Sequence, residues 1–430
     1  MLVARSKPIQ GSDSDADAGR SPAESATPKF GVAIFDNPKL GTTGWCCLPG
    51  EAPSRFSSVA ELSNSAMWIT SLDFDEFATK GRQHHHLRRS DYLRTSLKQI
   101  GDDLGYQLDG AFAQETSSVL ATIFSRTMQI AVKAYGWKDP LQALRDGLLS
   151  EDVRRAIAAA PETKDHMVSA FESAYQSYSS PAMSSPFESN SVFVQLRRNR
   201  VHHATDVLST LVPDEGWRFD PGAGSRSLDS WLDPDHPSLV EATVELSGAD
   251  PDIAALIAFG AAPTGSRGLL RKWISQPELR WMSKHARIQV SSGYIATATR
   301  ALPQEAQLPP ALTADPLFAL SYSTGLVAEC HWNAYASQPW KRGRGKDTRS
   351  WAVWLRATDR AISFQMALQA YRAGFHVGGY GNGVVLVRVS RDRLVDLEAF
   401  ADEVGASYPS FSQLKAQHGI KSVLADTYED

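Results

Sequence analysis

The chain has few cysteines and no long apolar run, and these two features exclude several classes of protein. Only three of its 430 residues are cysteine. Two of them, Cys46 and Cys47, are adjacent, which gives neither a disulfide framework nor the spacing of zinc ligands and favours a reducing compartment. No apolar run approaches the roughly 20 residues that span a bilayer, and no signal peptide is visible. The sequence therefore predicts a cytoplasmic protein with no membrane partner.

A surplus of positive charge is also missing. The net charge is −4 at pH 7, from 44 Lys and Arg against 48 Asp and Glu, whereas a protein that wraps a long nucleic acid needs basic groups to neutralise phosphates. The basic residues are clustered, however. Between Lys80 and Lys98 six basic residues are opposed only by Asp91, and a second basic stretch runs from Lys341 to Arg349. Basic stripes on a neutral body remain compatible with nucleic-acid binding.

Two short apolar runs end in an acidic residue. The run from Phe30 to Asp36 is followed by a Gly-rich turn, and this pattern predicts a central strand with Asp36 at its end. The run from Ala111 to Glu115 precedes a long helical pattern, and it predicts a second strand that carries Glu115. Acids at the ends of rigid strands can be held close together despite their mutual repulsion.

The segment from Arg197 to Leu208 contains two adjacent histidines and then an aspartate at the start of an apolar helix. Positions i and i+3 of a helix share a face, so His203 and Asp206 can point into one site. A carboxylate is a hard oxygen ligand that suits Mg²⁺, and a neighbouring imidazole can carry a proton. The alternative is a buried structural histidine beside a capped helix start.

An acid-tipped strand, a second acid-tipped strand and a His-His-Ala-x-Asp helix, in this order, resemble the RuvC-like nucleases of the RNase H fold. The sequence is most similar to the RuvC domains of type II CRISPR effector nucleases and of their transposon-encoded relatives IscB and IsrB. Asp36 is similar to the first motif, Glu115 to the second, and His203 and Asp206 to the third. One departure is that Asp36 lies eight positions before Gly44, one more than the family's usual spacing.

The resemblance implies an α/β protein with an RNase H-like (RuvC) core that hydrolyses phosphodiester bonds with two metal ions. Asp36, Glu115 and Asp206 would bind two Mg²⁺ ions, for which Mn²⁺ can substitute. His203 would assist proton transfer or orient the phosphate.

Residues 80–104 alternate basic and apolar side chains in a helical pattern. In the resembled family an Arg-rich bridge helix occupies this place and holds guide-RNA phosphates, a role that suits the forked donors of arginine. The resemblance therefore assigns nucleic-acid binding to the basic residues Lys80, Arg82, Arg88, Arg89, Arg94 and Lys98. A solvated helix face is the alternative.

The chain divides into five predicted segments. They are a disordered tail (1–27), the first part of the RuvC core (28–79), the Arg-rich bridge helix (80–104), the second and third parts of the core with a helical insert (105–213), and an α+β C-terminal region that contacts nucleic acid or its target (214–430). The insert has too few histidines for an HNH nuclease, so no HNH domain is expected. In the C-terminal region, Trp351–Leu355 and Val384–Val389 are predicted strands, the latter after a hairpin turn at Gly378–Gly383.

The function that the resemblance implies is RNA-guided cleavage of DNA by a single RuvC site, as an endonuclease or as a nickase. Its partners would be a guide RNA and target DNA, and the half of the chain without motifs is compatible with additional protein subunits. Two alternatives stay open, a guide-independent junction or flap nuclease and a non-cleaving RNase H-fold protein that binds nucleic acid. The extra residue after Asp36 favours the last of these.

Overall fold

A computed structural model describes most of the chain between residues 29 and 408. The described residues are 29–89, 97–106, 108, 110–137, 150–158, 165–176, 190–214, 216–221, 226–258, 268–315, 321–337, 340–341, 345–346 and 349–408. The predicted disordered tail (1–27) and Arg94 of the predicted basic helix lie outside the described residues.

The N-terminal region forms a five-stranded mixed sheet with the order β3-β2-β1-β4-β5. Its strands are β1 (Lys29–Phe35), β2 (Gly44–Cys47), β3 (Ser54–Phe56), β4 (Ala66–Thr70) and β5 (Leu87–Arg89). The first three strands are an antiparallel meander, whereas β4 and β5 run parallel to β1. β1 is the central strand, and it is buried on both faces after Lys29. Val32 and Ile34 belong to one apolar layer and Ala33 and Phe35 to the other, as the alternation of strand side chains requires.

Three helices accompany this sheet, namely α1 (Phe74–Gln83), α2 (Leu97–Leu104) and α3 (Ala113–Tyr135). The prediction of one basic helix over 80–104 is wrong. Leu87–Arg89 is the edge strand β5, because Leu87 is fully buried beside β4 and pairs with Trp68. Strand pairing and burial of Leu87 therefore override the helical pattern of the sequence.

The prediction of a strand at Ala111–Glu115 is also wrong. Gly110–Phe112 is a short 3₁₀ turn, and Glu115 lies in the first turn of α3. The apolar residues continue at helical spacing, so that Leu120, Ala121 and Phe124 form a buried stripe against the sheet. A stripe of this period stabilises a helix rather than a strand.

The second sheet is antiparallel and has the order β10-β9-β11-β8. Its strands are β8 (Arg218–Asp220), β9 (Ser238–Glu245), β10 (Leu269–Ser275) and β11 (Arg287–Ile295). Two short ladders complete this region, one between β7 (Val212–Pro213) and β12 (Thr299–Arg300) and one between β13 (Trp340–Lys341) and β14 (Gly345–Lys346).

The third sheet, with the order β15-β16-β6-β17, joins residues from both sides of residue 213. Its antiparallel strands are β6 (Ser191–Arg198), β15 (His376–Gly381), β16 (Val384–Ser390) and β17 (Ala406–Ser407). The predicted strand at Val384–Val389 is confirmed. A tight turn at Asn382 and Gly383 precedes it, with positive φ angles of 55° and 69°, as a two-residue hairpin with a right-handed twist requires.

The remaining helices are α4 (Glu151–Ala158), α5 (Val168–Gln176), α6 (Arg200–Leu208), α7 (Leu228–Trp231), α8 (Pro251–Ala258), α9 (Gln276–Met282), α10 (Pro310–Thr313), α11 (Tyr322–Tyr335), α12 (Ser350–Arg372) and α13 (Leu394–Glu403). Helix α12 packs on β15 and β16. It contains Trp351–Leu355, so the predicted strand there is wrong. A short apolar run does not distinguish a strand from a helix that is buried on all sides. None of the described helices combines the length and apolar character that crossing a membrane requires.

A buried ionic network connects α2 to the elements that follow. Asp103 of α2 accepts hydrogen bonds from Arg197 (3.2 Å), Arg200 (2.5 Å) and the hydroxyl of Tyr322 (2.9 Å). Arg200 also donates to Glu329 of α11. Each charge in this network has an opposite partner, as burial of charged groups requires, and the network sets the position of α2 against α6 and α11.

Candidate functional site

Asp36 lies where the sequence predicts it, directly after the central strand β1. Its Oδ1 accepts a hydrogen bond from Arg55 Nη1 (2.7 Å), and its Oδ2 accepts one from Arg55 Nη2 (2.5 Å). The hydroxyl of Thr43 donates to the same Oδ2. Gly44 allows the hairpin to close beside it, because a Cβ there would lie 2.1 Å from the carbonyl oxygen of Ile34. The short β1–β2 connection and edge strand β3 therefore bring both partners to Asp36.

The electrostatics of this pair follow from its geometry. The hydrogen bond from Arg55 is the main cause of a lowered pKa at Asp36, while partial burial opposes it and the bond from Thr43 adds to it. The Asp36 side chain is 39% exposed. The Arg55 guanidinium also lies over the ring of Trp45, 5.5 Å from its centroid. Asp36 is thus an ionised carboxylate with a bidentate partner at an open surface.

Glu115 is exposed in the first turn of α3. This position suits an acid, because the amino end of a helix carries a partial positive charge. The groups that bond the Asp36 carboxylate are Arg55 and Thr43, and Glu115 is not one of them. Glu115 is therefore an exposed acid at a helix start, and its assignment as a metal ligand stays a prediction.

His203 is buried, with only 2% of its surface exposed. Helix α6 begins at a side-chain cap, because Asn199 Oδ1 accepts a hydrogen bond from the His202 amide. His203 Nε2 lies 2.9 Å from Oδ1 of Asp359, a buried residue of α12. The surroundings of His203 are those of the alternative interpretation, a buried histidine beside a capped helix start.

Asp206 has different surroundings from His203, although both are on α6. It is exposed and pairs with Arg198 Nη2 at 2.9 Å. Within the described part of the chain, no group of three or more His, Cys, Asp or Glu side chains could hold a metal ion. Asp36, Glu115 and Asp206 are therefore not part of such a group in the described residues, and their assignment as metal ligands stays a prediction.

Asp359 is the centre of a cluster that sequence patterns did not reveal. Besides His203, it accepts hydrogen bonds from the backbone N–H groups of Asn382 (2.9 Å) and Gly383 (3.0 Å) in the β15–β16 turn. Burial alone would raise the pKa of Asp359, but the hydrogen bond from His203 and the charge of nearby Arg356 outweigh burial and lower it. The Asp359 carboxylate therefore connects both α6 and the β15–β16 turn to α12.

Arg356, one turn before Asp359, completes this cluster. It donates to Asn382 Oδ1 (2.6 Å) and to Asn333 Oδ1 (2.8 Å), and its guanidinium lies 4.8 Å from the ring centroid of Trp332. The signal in the sequence is an arginine and an aspartate three positions apart within an apolar segment. Such a pair shares one helix face, but it is visible only if the segment is recognised as a helix.

The predicted nucleic-acid-binding residues are spread over several elements. Lys80 and Arg82 belong to α1, Arg89 to β5 and Lys98 to α2. Arg88 is half-buried, and its Nη1 donates to the carbonyl oxygens of His85 (2.5 Å) and Leu87 (2.7 Å). These residues therefore do not form the single basic helix face that the pattern predicts.

Comparison with known proteins gives structural neighbours only. No protein-family model and no curated protein sequence matches the chain. Among solved structures, it is similar to Phi29 DNA polymerase in an orthorhombic crystal form, at 12% identity and a TM-score of 0.45, over 86% of this chain and 81% of that one. The same polymerase with single-stranded DNA matches at 12% identity and a TM-score of 0.43, over 84% and 80%. The ternary complex with primer-template DNA and incoming nucleotides matches at 12% identity and a TM-score of 0.41, over 84% and 81%.

Proposed function

We propose that this protein binds nucleic acid on an RNase H-like domain and does not cleave it. The observation that carries the proposal is the ion pair at Asp36. Both oxygens of the carboxylate that would bridge two metal ions accept hydrogen bonds from Arg55. His203, which would assist proton transfer, is enclosed in the core with Asp359. These contacts support the assignment of a surface ion pair at Asp36 and of a structural histidine at position 203.

The arrangement of the N-terminal sheet supports the RNase H-like part of the proposal. That fold requires antiparallel strands after the first strand, and β1, β2 and β3 form such a meander. An acid follows the central strand, as in the resembled family. Beside Asp36, the Arg55 guanidinium lies over the ring of Trp45. Proteins that bind single-stranded nucleic acids combine basic groups, which contact the backbone, with aromatic rings, which stack on bases. Lys39, in the connection between β1 and β2, is also exposed.

Metal-dependent, RNA-guided cleavage is the second candidate. The observation in its favour is that Asp36 is solvent-accessible at the end of the central strand, where a hydrated Mg²⁺ or Mn²⁺ ion could replace Arg55. Glu115, His203 and Asp206 as catalytic or metal-binding residues, and guide RNA and target DNA as partners, belong to this candidate and stay predictions. A discrete RNA that co-purifies with the protein would favour it.

The substitution Asp36→Asn tests the proposal. The asparagine amide has no negative charge and only one acceptor oxygen, so Arg55 loses its bidentate ion pair and can contact a phosphate instead, and we expect tighter binding of single-stranded DNA. The plot of log affinity against log salt should become steeper by about 0.7, the value for one added phosphate contact on a single strand. Fluorescence anisotropy with a labelled oligonucleotide at several salt concentrations, without divalent metal, measures both quantities.

Asp235→Asn is the matched control, because Asp235 is an exposed aspartate far along the chain and should leave the slope unchanged. The same oligonucleotide is then incubated with Mg²⁺ or Mn²⁺, with and without EDTA, and resolved on a denaturing gel. We expect it to stay intact. EDTA-sensitive cleavage that Asp36→Asn abolishes would establish metal-dependent cleavage at Asp36 and overturn the non-cleaving part of the proposal, and absence of binding by both proteins would overturn the whole of it.

A further inference from the structure

A pocket of about 450 Å³ lies between the start of α4, the segment after β12 and the first turn of α12. Its lining residues are Asp152, Arg155, Ala156, Arg300, Ala301, Pro303, Glu305 and Trp351. None of them belongs to the surface around Asp36 or to the His203–Asp359 cluster. The volume is within the range of small-molecule sites and is large enough for a nucleoside. We call it the Trp351 pocket.

Two donors in this pocket lack hydrogen-bond acceptors among the described residues. Trp351 is 3% exposed, and its buried Nε1–H has no partner there. Arg300 Nε is also buried without a hydrogen bond, and its nearest acid is Asp214 Oδ1 at 3.7 Å. Buried donors without acceptors are uncommon in folded proteins, because each one loses its hydrogen bond to water. Two such donors at one pocket mark it as a polar site rather than as packed core.

Arg300 and Trp351 also form a stacked pair. The guanidinium carbon of Arg300 lies 4.7 Å from the centroid of the Trp351 ring, and 39% of the Arg300 side chain is exposed. A planar guanidinium that is supported by an aromatic ring on one face can stack a planar ligand on the other. The pocket therefore offers a surface for a flat ring rather than for an aliphatic chain.

The charged residues that line the pocket indicate which kind of flat ring it can bind. Two arginines and two acids line the pocket, so that their formal charges cancel. Arg155 is paired on its own helix with Glu151 (3.4 Å) and Asp152 (3.2 Å). Glu305 is exposed, and the ion pairs of the two lining arginines among the described residues are with Glu151, Asp152 and Asp214. A neutral lining with one available carboxylate suits an N–H donor and disfavours a phosphate.

Hydrogen bonds from α11 hold the turn that carries Glu305 in place. The hydroxyl of Tyr335 donates to the carbonyl oxygen of Glu305 (3.1 Å), and His331 Nε2 donates to the carbonyl oxygen of Ala306 (2.9 Å). Both donors come from α11, a helix that is almost entirely buried. Such support fixes the backbone of the acceptor residue before a ligand binds.

We propose that the Trp351 pocket binds one nucleobase with an exocyclic amino group, which stacks on Arg300 and donates its amino N–H to Glu305. Cytosine, adenine and guanine carry this group, whereas thymine and uracil lack it. The base can come from a single strand or from a free nucleoside. The strand source rests on the proposed function, and the nucleoside source does not.

The test compares two pyrimidines of equal size that differ in the amino group. Labelled oligo-dC and oligo-dT of about 12 nucleotides, a length within the span of single-strand-binding domains, are titrated by fluorescence anisotropy. We expect the wild-type chain to prefer oligo-dC by about tenfold, the discrimination that one such hydrogen-bonded contact typically gives. Glu305→Gln should reduce this ratio toward one, because an amide also presents donors to the base. Glu403→Gln, at an exposed glutamate of α13, should keep the ratio.

A second arm uses free cytidine and thymidine with saturation-transfer NMR on the same three proteins. If oligonucleotides bind, but no preference for cytosine over thymine is seen in either arm and Glu305→Gln has no effect, the inference fails while the proposed function stands. If no oligonucleotide binds but cytidine binds in a Glu305-dependent manner, the proposed function fails and the pocket is a nucleoside site. If neither ligand binds, both are overturned.

Discussion

Asp36 and Asp359 are both paired aspartates with a lowered pKa, but they lie in opposite surroundings. Asp36 is at an open surface, where one arginine supplies most of its hydrogen bonds. Asp359 is 3% exposed and accepts hydrogen bonds from His203 and from two backbone amides of a hairpin turn. At Asp36 the arginine needs to overcome little desolvation, whereas at Asp359 several donors together outweigh the cost of burial.

Burial decides which of the two aspartates contributes more to the stability of the fold. In an exposed ion pair, the hydrogen bonds between the two side chains replace hydrogen bonds to water. The pair therefore contributes little to the free energy of unfolding. A buried carboxylate whose donors are all protein groups leaves those donors unsatisfied when it is removed. We therefore expect the buried pair of His203 and Asp359 to stabilise the fold more than the solvent-accessible pair of Asp36 and Arg55.

The largest effect is expected when the buried cluster is broken. Asp359→Ala removes the acceptor of His203 and of the turn amides, and we expect the free energy of unfolding to fall by about 3–5 kcal/mol. Urea denaturation followed by circular dichroism measures the change. Asp206→Ala is the matched control on α6, because Asp206 is exposed and paired with Arg198, and it should cost less than about 1 kcal/mol. Equal losses in the two variants would contradict the comparison.

The buried histidine His331 should make the free energy of unfolding depend on pH. Burial lowers the pKa of His331 to about 4, from an ordinary value of 6.5. Because the unfolded state holds the proton more tightly, stability that is present above about pH 6.5 is lost as the pH falls toward 4. We expect roughly 3 kcal/mol of the free energy of unfolding to depend on His331 across this window.

Urea denaturation at several pH values, for the wild type and for His331→Gln, measures this dependence. The stability difference between the two proteins should shrink as the pH falls. His202→Gln, at an exposed histidine, should follow the wild-type curve. A His331→Gln curve parallel to the wild type would show that the proton on this residue does not affect folding.

The smallest effect is expected at the surface pair. Arg55→Ala removes the bidentate partner of Asp36, and the free energy of unfolding should fall by less than about 1 kcal/mol. Lys29→Ala is a suitable control, because Lys29 forms an exposed pair with Glu51 at 3.0 Å. Thermal unfolding of both variants beside the wild type is sufficient. A loss of several kcal/mol at Arg55 alone would place this pair with the buried cluster.

Local patterns predict part of the fold correctly. The apolar run before Asp36 is the central strand β1, and Val384–Val389 is part of β16, although the turn before it comprises only Asn382 and Gly383 because Gly378–Gly381 belongs to β15. Both predictions succeed because a short β-rich run beside a turn signal has few other ways to bury its side chains. The patterns at Trp351–Leu355 and before Glu115 predict strands, but both segments are helical. In both cases burial against neighbouring elements decides between two conformations that the local pattern allows equally.

Local sequence patterns are enough to predict that an acid follows the first strand, that a tight turn precedes β16 and, as one of two interpretations, that a capped helix starts near His203. These features depend on contacts within a few residues. The partners of the site residues, in contrast, depend on long-range packing. Arg55 is 19 positions from Asp36, and Asp359 is 156 positions from His203. Such pairs form because strand order and helix packing bring distant segments together, and spacing along the chain carries no information about that geometry.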